Sequence, residues 1–237
     1  MANLYVFDKD GTLVHPKKDG YVESPEDQVL YEGVRDKLDR LRSEGHVLAI
    51  ASNQGGCDWH EVKVDRLVIG SKFRPTTHSE NFTVTSIEPS PVTDKDLLVK
   101  VVNHDDDDRE YDVIYNLNET VLVQHKTIEG AIAEMQFAAD LCGIREAYFA
   151  PTMDGKSIVS LNRSDSKWHH QIETPSPESN YSFGGFRKPQ PGMLLFHSYG
   201  YKYDRRIMIG DRDCDREAAA AAGFEFMWAE DWRNAQK

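Results

Sequence analysis

Two aspartates lie two residues apart, directly after the first apolar segment of the chain. Asp8 and Asp10 follow residues 3–7 (NLYVF), and Gly11 comes next. One carboxylate could attack a phosphorus atom and form an aspartyl-phosphate, while the other could give a proton to the leaving oxygen and later activate water. The glycine lets the backbone turn away sharply after the pair. An ordinary aspartate-rich turn is the alternative interpretation, because such turns are common.

Two further segments could bind a phosphoryl group. Residues 52–56 (SNQGG) follow a second apolar segment, and a small hydroxyl with backbone N–H groups at a strand end can hold a phosphate oxygen. Residues 187–193 (RKPQPGM) contain Lys188, whose ammonium could neutralise both a carboxylate nucleophile and a phosphate. Taken singly, the first segment could be an ordinary glycine turn and the second a solvated basic turn.

A fourth segment, residues 210–215 (GDRDCD), is rich in carboxylates. Carboxylate oxygens, together with waters and phosphate oxygens, suit the octahedral shell of Mg²⁺. Taken alone, the segment could be the acidic first turn of a helix, which complements the helix dipole. All four segments come after predicted strands, and this shared placement favours one joint site over four unrelated turns.

Apolar patterning predicts the elements that would position these segments. Strand, helix and strand follow one another within the first part of the chain, and the same order returns toward its end, which is typical of a parallel sheet. We therefore expect a doubly wound, Rossmann-like α/β core, with ligands at the carboxyl ends of its strands. The predicted strands are 3–7, 47–51, 146–150, 205–209 and 224–228, and the predicted helices are 29–43, 127–142, 190–200 and 213–222.

The middle of the chain has a different pattern. Alternating, β-branched segments predict strands at 61–69, 82–87, 97–103, 111–116 and 119–125, with Asp105–Asp108 as a solvated hairpin tip. We expect residues 58–126 to form a β-rich inserted subdomain, and residues 1–57 and 127–237 to form the core. Residues 162–186 are polar and contain several Pro and Gly, so a long loop is predicted there.

Charge and composition exclude several classes of protein. Lys and Arg number 28 and Asp and Glu number 40, so the net charge is −12, which argues against non-specific coating of a phosphate backbone but leaves a local basic patch open. The sequence has neither an apolar run long enough to span a membrane nor a signal-like N-terminus. Its 3 cysteines are scattered, which favours a reducing compartment, and we expect a cytoplasmic location.

Together, the four segments resemble the four motifs of the haloacid dehalogenase (HAD) superfamily of phosphatases. The pairing of SNQGG with KPQPGM resembles the subfamily of histidinol-phosphate, heptose-bisphosphate and polynucleotide 3′-phosphatases. The resemblance covers about residues 3–57 and 127–232. Many members of the subfamily have a cysteine-rich zinc loop before the third motif, whereas residues 168–185 here contain no cysteine. The β-rich insertion after SNQGG is a second departure, and it leaves the substrate open.

The resemblance implies a role for each matching residue. Asp8 is expected to be the nucleophile and Asp10 the general acid and base, while Ser52 binds the transferring phosphate and Lys188 stabilises its charge. Mg²⁺ is expected on Asp8, Asp211 and the carbonyl of Asp10, and Asp215 is expected to hold Lys188 or to lie behind the metal ligands. The remaining residues expected to bind substrate are Gly11, Thr12, Asn53, Gln54 and Arg187.

These observations predict a Mg²⁺-dependent phosphomonoester hydrolase acting on a small phosphorylated sugar or metabolite. A nucleic-acid 3′-phosphatase is the first alternative, and it predicts a basic groove near Lys188 that includes Arg163, Lys167 and Arg187. A non-catalytic binding or scaffold protein that works through its insertion is the second alternative. Transfer of the phosphoryl group to an acceptor other than water also stays open, and the oligomeric state is not predicted.

Overall fold

The computed structural model divides the chain into two compact units. Met1–Gly55 and Ile128–Lys237 form the first, the core unit, and Gly56–Thr127 form the second, the inserted unit. The residues described are 2–18, 22, 24–55, 57, 60–67, 69–70, 72–75, 81–93, 95–103, 109–124, 126–175 and 183–235, with the backbone alone at 60 and 124. No helix of this described part is long and apolar enough to cross a membrane.

Fifteen strands and five α-helices follow one another along the described chain. The strands are β1 Leu4–Phe7, β2 Val14–Pro16, β3 Gln28–Leu30, β4 Val47–Asn53, β5 His60–Lys63, β6 Lys72–Pro75, β7 Phe82–Pro89, β8 Asp96–Asn103, β9 Arg109–Asn116, β10 Thr120–Gln124, β11 Glu146–Ala150, β12 Ile158–Ser164, β13 Lys167–Glu173, β14 Arg206–Gly210 and β15 Glu225–Trp228. The helices are α1 Val34–Ser43, α2 Ile128–Cys142, α3 Gly192–Ser198, α4 Asp213–Ala222 and α5 Ala229–Asn234.

The core unit is built on a seven-stranded sheet in the order β13-β12-β11-β4-β1-β14-β15. Five neighbouring strands of this sheet are parallel, namely β11, β4, β1, β14 and β15. The other two, β12 and β13, add an antiparallel hairpin at one edge. Apolar side chains of β1, such as Leu4 and Val6, pack in one buried cluster with Met193 of α3 and Ala218 of α4. The predicted fold class is confirmed, since this is a doubly wound α/β sheet.

Register places the carboxyl ends of three central strands side by side. Phe7 of β1 lies opposite Ile50 of β4 and Ile209 of β14. β4 and β14 flank β1, so the connections that lead to these two strands run to opposite sides of β1. Open α/β sheets bind ligands at such a point. The segments that follow these three strands therefore meet at one edge of the core unit's sheet.

The inserted unit is an antiparallel sheet of six strands in the order β5-β10-β6-β7-β8-β9. Its buried cluster is formed by Val64, Leu67, Phe73, Val84, Val99, Val101, Tyr115, Val121 and Val123. Alternation along β8, where Val99 and Val101 are buried, places these side chains on one face of the strand. The acidic run 105–108, predicted as a hairpin tip, lies outside the described residues.

Three predicted elements are wrong in type over part of their length. The strand predicted over 61–69 ends at Lys63, and Val64–Arg66 form a 3₁₀ turn. The helix predicted over 29–43 begins only at Val34, because Gln28–Leu30 pairs with β2 as β3 and Gly33 has a φ of 73°. The loop predicted over 162–186 contains the end of β12 and all of β13, joined by a tight turn at Asp165 and Ser166 with positive φ. β13 is an edge strand with mostly exposed polar side chains, so it lacks the apolar alternation that reveals a strand.

Candidate active site

Three strand ends of the core unit bring the first, second and fourth sequence segments together. Asp8 follows β1, and its backbone N–H donates to the carbonyl of Ile209 in β14 at 2.8 Å. Ser52 lies at the end of β4 and is buried, while Asp211 follows β14 directly. Two of the carboxylates predicted to bind metal, Asp8 and Asp211, therefore share one edge of the sheet.

Lys188 connects the third segment to this edge. Its Nζ donates to Asp8 Oδ1 at 2.5 Å and to the carbonyl of Ala51 at 2.9 Å, and it lies 2.6 Å from Asp215 Oδ1. The residue is only 4% exposed, so its ammonium is surrounded by these three oxygens instead of by water. Burial lowers the pKa of Lys188, but the charges of Asp8 and Asp215 outweigh it and raise the pKa overall. The lysine is therefore charged and fixed beside Asp8.

The amide of Asn53 holds the backbone of the third segment in place. Its Nδ2 donates to the carbonyl of Lys188, and its Oδ1 accepts from the N–H of Lys188, both at 2.9 Å. The side chain of Gln54 is also bonded within the site. Its Nε2 donates to Asp10 Oδ2 at 3.0 Å and to Ser52 Oγ at 2.9 Å. Both residues were predicted to bind substrate, and the structure shows their side chains bonded to other residues of the site.

Glycines allow two of the loops to come close to the carboxylates. Gly11 has a φ of 78°, and a Cβ there would lie 2.2 Å from Asp211 Oδ2. A Cβ on Gly210 would lie 2.5 Å from the Cβ of Asp215. The Oδ2 of Asp215 accepts from the N–H of Arg212 at 3.1 Å, so this carboxylate caps helix α4 and also contacts Lys188. Any larger residue at position 11 or 210 would displace a carboxylate of the site.

Two of the residues predicted to bind substrate have polar atoms without a hydrogen-bond partner in the described part of the chain. Thr12 is buried, and its Oγ1 makes no such bond. Arg187 has a buried Nη1 that also makes none. Its guanidinium lies at the end of β4, because a Cβ on Gly55 would be 2.5 Å from this nitrogen. Since a buried N–H that stays unpaired is costly, Arg187 is suited to donate a hydrogen bond to an oxygen of a bound anion.

The carboxylates also fit a divalent cation. Oxygens of Asp8, Asp211 and Asp215 lie within 4.8 Å of one another. Burial raises the pKa of Asp8 to about 7, with Asp215 and Asp10 adding to the rise and Lys188 opposing it. Burial and the charge of Asp215 also raise the pKa of Asp211. Negative charge at this edge thus exceeds what Lys188 neutralises, and an all-oxygen donor set is the kind that Mg²⁺ prefers.

Comparisons with known families agree with this geometry. Residues 3–82 match the family model of polynucleotide kinase 3 phosphatase, and residues 185–230 match that of HAD-hydrolase-like proteins. The first match contains the segments that begin at Asp8 and Ser52, and the second contains Lys188 and Asp211. The chain is thus similar to HAD-type phosphatases in both matched segments. The search of curated proteins found no match.

Solved structures similar to this chain include two phosphatases. D,D-heptose 1,7-bisphosphate phosphatase from B. bronchiseptica, complexed with magnesium and phosphate, is 16% identical, with a TM-score of 0.47 over 95% of this chain and 79% of that chain. A candidate HAD-like phosphatase from Mesorhizobium loti is 14% identical, with a TM-score of 0.43 over 94% of this chain and 69% of that chain.

One residue of the site was not predicted from the sequence. Lys9, between the two aspartates, is completely buried and lies 2.9 Å from Asp10 Oδ1. A lysine between two aspartates of the segment that follows a buried strand was a visible signal, and a lysine is almost never fully buried unless it is paired. Its partners could not be read from the sequence, since Gln28 and Glu134 come from distant elements.

Proposed function

We propose that this protein is a HAD-type phosphatase, a Mg²⁺-dependent hydrolase of phosphomonoesters that works through an aspartyl-phosphate on Asp8. The observation that carries the proposal is the pairing of Lys188 Nζ with Asp8 Oδ1, at a buried edge that also holds Asp211 and Asp215. A carboxylate held by a fixed cation, with its second oxygen left for attack, has the arrangement of an activated nucleophile. The intact set of Asp8, Asp10, Lys188 and Asp211 argues against a purely scaffolding role.

In the first step, an oxygen of Asp8 attacks phosphorus and the bond between phosphorus and the ester oxygen breaks. Asp10 gives its proton to that oxygen, and the substrate leaves as an alcohol. In the second step, water attacks the phosphorus of the aspartyl-phosphate and gives a proton to Asp10, and inorganic phosphate leaves as Asp8 is regenerated. Both steps develop negative charge on the phosphoryl oxygens, which the ammonium of Lys188 and the hydroxyl of Ser52 are placed to stabilise.

Mg²⁺ would be held by Asp8, Asp211 and the carbonyl of Asp10. When bound, it would supply a positive charge that neutralises the phosphoryl oxygens and keeps Asp8 ionised. Asp215 is less available as a ligand, because Lys188 and the N–H of Arg212 already contact its two oxygens. Its role would be to hold Lys188 in place.

A small phosphorylated sugar or metabolite is the substrate that we favour. The net charge of −12 disfavours long polyanions. The buried guanidinium nitrogen of Arg187 offers a place for a hydroxyl or a second anionic group of a compact substrate. Asn53 and Gln54 would act indirectly in this proposal, by positioning Lys188, Asp10 and Ser52.

A nucleic-acid 3′-phosphatase remains the second candidate, because residues 3–82 match the polynucleotide kinase 3 phosphatase family model. This candidate predicts a basic groove near Lys188, and the prediction is wrong for two of the three residues assigned to that groove. Arg163 and Lys167 lie at the turn of the β12–β13 hairpin, beyond the pairing of Asn162 with Glu146 at the amino end of β11. The site lies at the opposite, carboxyl end of the strands, and Arg163 is ion-paired with Asp140.

The test is phosphate release from a panel of phosphomonoesters with Mg²⁺. The panel contains sugar bisphosphates, histidinol phosphate and a 3′-phosphorylated oligonucleotide. We expect turnover of a sugar or metabolite phosphate that a chelator abolishes and added Mg²⁺ restores. Asp8→Asn should lower it by at least about a thousandfold, because the nucleophile is lost. Asp36→Asn, on the exposed surface of α1, is the matched control and should leave turnover unchanged.

Two outcomes of this panel would change the proposal. Turnover confined to the oligonucleotide would favour the 3′-phosphatase. Absence of turnover with every substrate, in folded protein supplied with Mg²⁺, would contradict the phosphomonoesterase proposal.

A further inference from the structure

The ammonium of Lys9 is buried in the core unit and surrounded by oxygens. Its Nζ donates to Gln28 Oε1 at 3.0 Å, and it lies 2.9 Å from Asp10 Oδ1 and 3.8 Å from Glu134 Oε2. A buried ammonium is tolerated only when it is paired and hydrogen-bonded, because removing its hydration shell is costly. The three partners therefore determine where this side chain lies.

Two of these partners come from elements outside the loop of the aspartates. Gln28 belongs to β3, and its Nε2 donates to the carbonyls of Pro25 at 3.0 Å and Glu134 at 3.1 Å. Glu134 is buried on α2, a helix of 15 residues. Lys9 is consequently anchored to a strand and a helix, which are more rigid than the turn that follows β1.

The third partner, Asp10, is held from two sides. Lys9 contacts its Oδ1, and Gln54 Nε2 donates to its Oδ2 at 3.0 Å. The same Gln54 nitrogen donates to Ser52 Oγ at 2.9 Å, which ties the carboxyl of Asp10 to the hydroxyl proposed to bind phosphate. Two contacts on different oxygens restrict both side-chain torsions of Asp10, although this side chain is 41% exposed.

We propose that Lys9, supported by Glu134 and Gln28, is a positioning residue that orients the carboxyl of Asp10 for proton transfer to the leaving oxygen. The inference rests on the proposed function, in which Asp10 is the general acid. Proton transfer requires the acid within hydrogen-bond distance of the oxygen that it protonates, and small displacements lower the rate steeply. Lys9 itself does not contact the substrate in this proposal and acts only through the carboxyl of Asp10.

The experiment compares leaving groups that need an acid to different degrees. Phenyl phosphates with increasingly electron-withdrawing substituents, up to 4-nitrophenyl phosphate, release increasingly stable anions. The variant is Lys9→Met combined with Glu134→Gln, so that no buried carboxylate is left without its cation. Values of kcat/KM report the first phosphoryl transfer, in which Asp10 acts as the acid.

We expect the double variant to lose at least about tenfold more activity with phenyl phosphate than with 4-nitrophenyl phosphate, since a positioned acid contributes 10²-fold or more where it is needed. The ratio of the two losses does not depend on the fraction of folded protein, because both substrates are measured on the same sample. In an Asp10→Asn background, the same two substitutions should leave that ratio unchanged, because the group through which Lys9 acts is absent.

Equal losses with all leaving groups would mean that Lys9 is merely structural and would overturn the inference. An increase in phenyl phosphate turnover would also overturn it, since Lys9 would then hold Asp10 away from the substrate. If the wild-type enzyme shows no turnover that Asp8→Asn abolishes, the proposed function fails and this inference fails with it. Intact wild-type turnover with equal losses contradicts the role of Lys9 alone.

Discussion

The two units of this protein bury different kinds of side chain. In the core unit, the buried residues include the charged side chains of Asp8, Lys9, Glu134, Lys188 and Asp215. In the described part of the inserted unit, the buried residues are apolar except for Asn103. Burying a charge costs free energy that an apolar side chain would not cost, and perturbed carboxylates cluster at functional sites. The difference indicates which unit carries the chemistry.

The surroundings of a lysine show the same contrast. Lys188 in the core unit is almost completely buried between two carboxylates. Lys100 in the inserted unit lies 4.0 Å from Glu88, and both of these side chains are about half exposed. A fixed, dehydrated ion pair can act on a substrate, whereas an exposed pair is screened by water and contributes little. The same substitution in the two units should therefore have very different effects.

Lys188→Met is expected to have the largest effect. Without the ammonium, Asp8 loses the cation that fixes its Oδ1 and the phosphoryl oxygens lose one of their positive charges, so kcat/KM should fall by about 10³-fold. The free energy of unfolding should fall by about 3 kcal/mol, because Asp8 and Asp215 then face each other unpaired. Phosphate release and urea unfolding at the same pH measure the two effects. A loss of activity below tenfold would contradict the assignment of Lys188.

A buried histidine of the core unit, His197, should make the free energy of unfolding depend on pH, and this effect is smaller than that of Lys188→Met. Burial lowers the pKa of His197 to about 4, although Tyr148 OH and Glu146 Oε2 face its Nδ1 at 3.0 and 3.3 Å. Its buried Nε2 has no hydrogen-bond partner among the described residues. Because the folded pKa lies below that of the unfolded chain, near 6.5, the stabilisation is complete above that pH and is lost as the pH falls toward 4.

The measurement is urea unfolding of the wild type and of His197→Asn at pH 7 and pH 5. Between these values the wild type should lose about 2 kcal/mol more than the variant, which cannot take up this proton. Burial also raises the pKa of Glu146, which acts in the opposite direction in both proteins and cancels in the difference. Parallel pH dependences of the two proteins would contradict a neutral, buried His197.

Lys100→Met is expected to have the smallest effect and sharpens the contrast with Lys188→Met. Because its ion pair with Glu88 is exposed, the free energy of unfolding should change by no more than about 0.5 kcal/mol. Urea unfolding beside the wild type measures the change. A destabilisation as large as that of Lys188→Met would show that the inserted unit also depends on a lysine pair.

The sequence was informative wherever one local pattern determines the structure. The apolar strand before Asp8 and the alanine-rich helix before Gly223 were predicted because propensity and periodicity agree there. Strand β3 was missed because its three residues fit a helical period, and pairing with β2 decides the outcome. Tertiary contact of this kind is not encoded in the spacing of the residues themselves.

The candidate site, like the fold, could be predicted from the sequence only in part. Strand ends and residue types are enough to bring Asp8, Ser52 and Asp211 to one edge, because parallel strands deliver their carboxyl ends together. The partners of Asn53, Gln54 and Lys9 could not be predicted, since each depends on the exact approach of another loop or element. Local sequence thus predicts which groups are present, and packing decides which of them touch.

Covalent phosphorylation of Asp8 is the step on which the proposed function depends. Asp10→Asn with 4-nitrophenyl phosphate tests it directly, because this leaving group needs no acid but the second step has lost its base. We expect a rapid burst of one nitrophenolate per chain, followed by a stalled enzyme whose acid-quenched peptide carries a phosphoryl group on Asp8. Wild-type turnover of this ester without a burst in the variant, or with the phosphoryl group on another residue, would rule out Asp8 as the nucleophile.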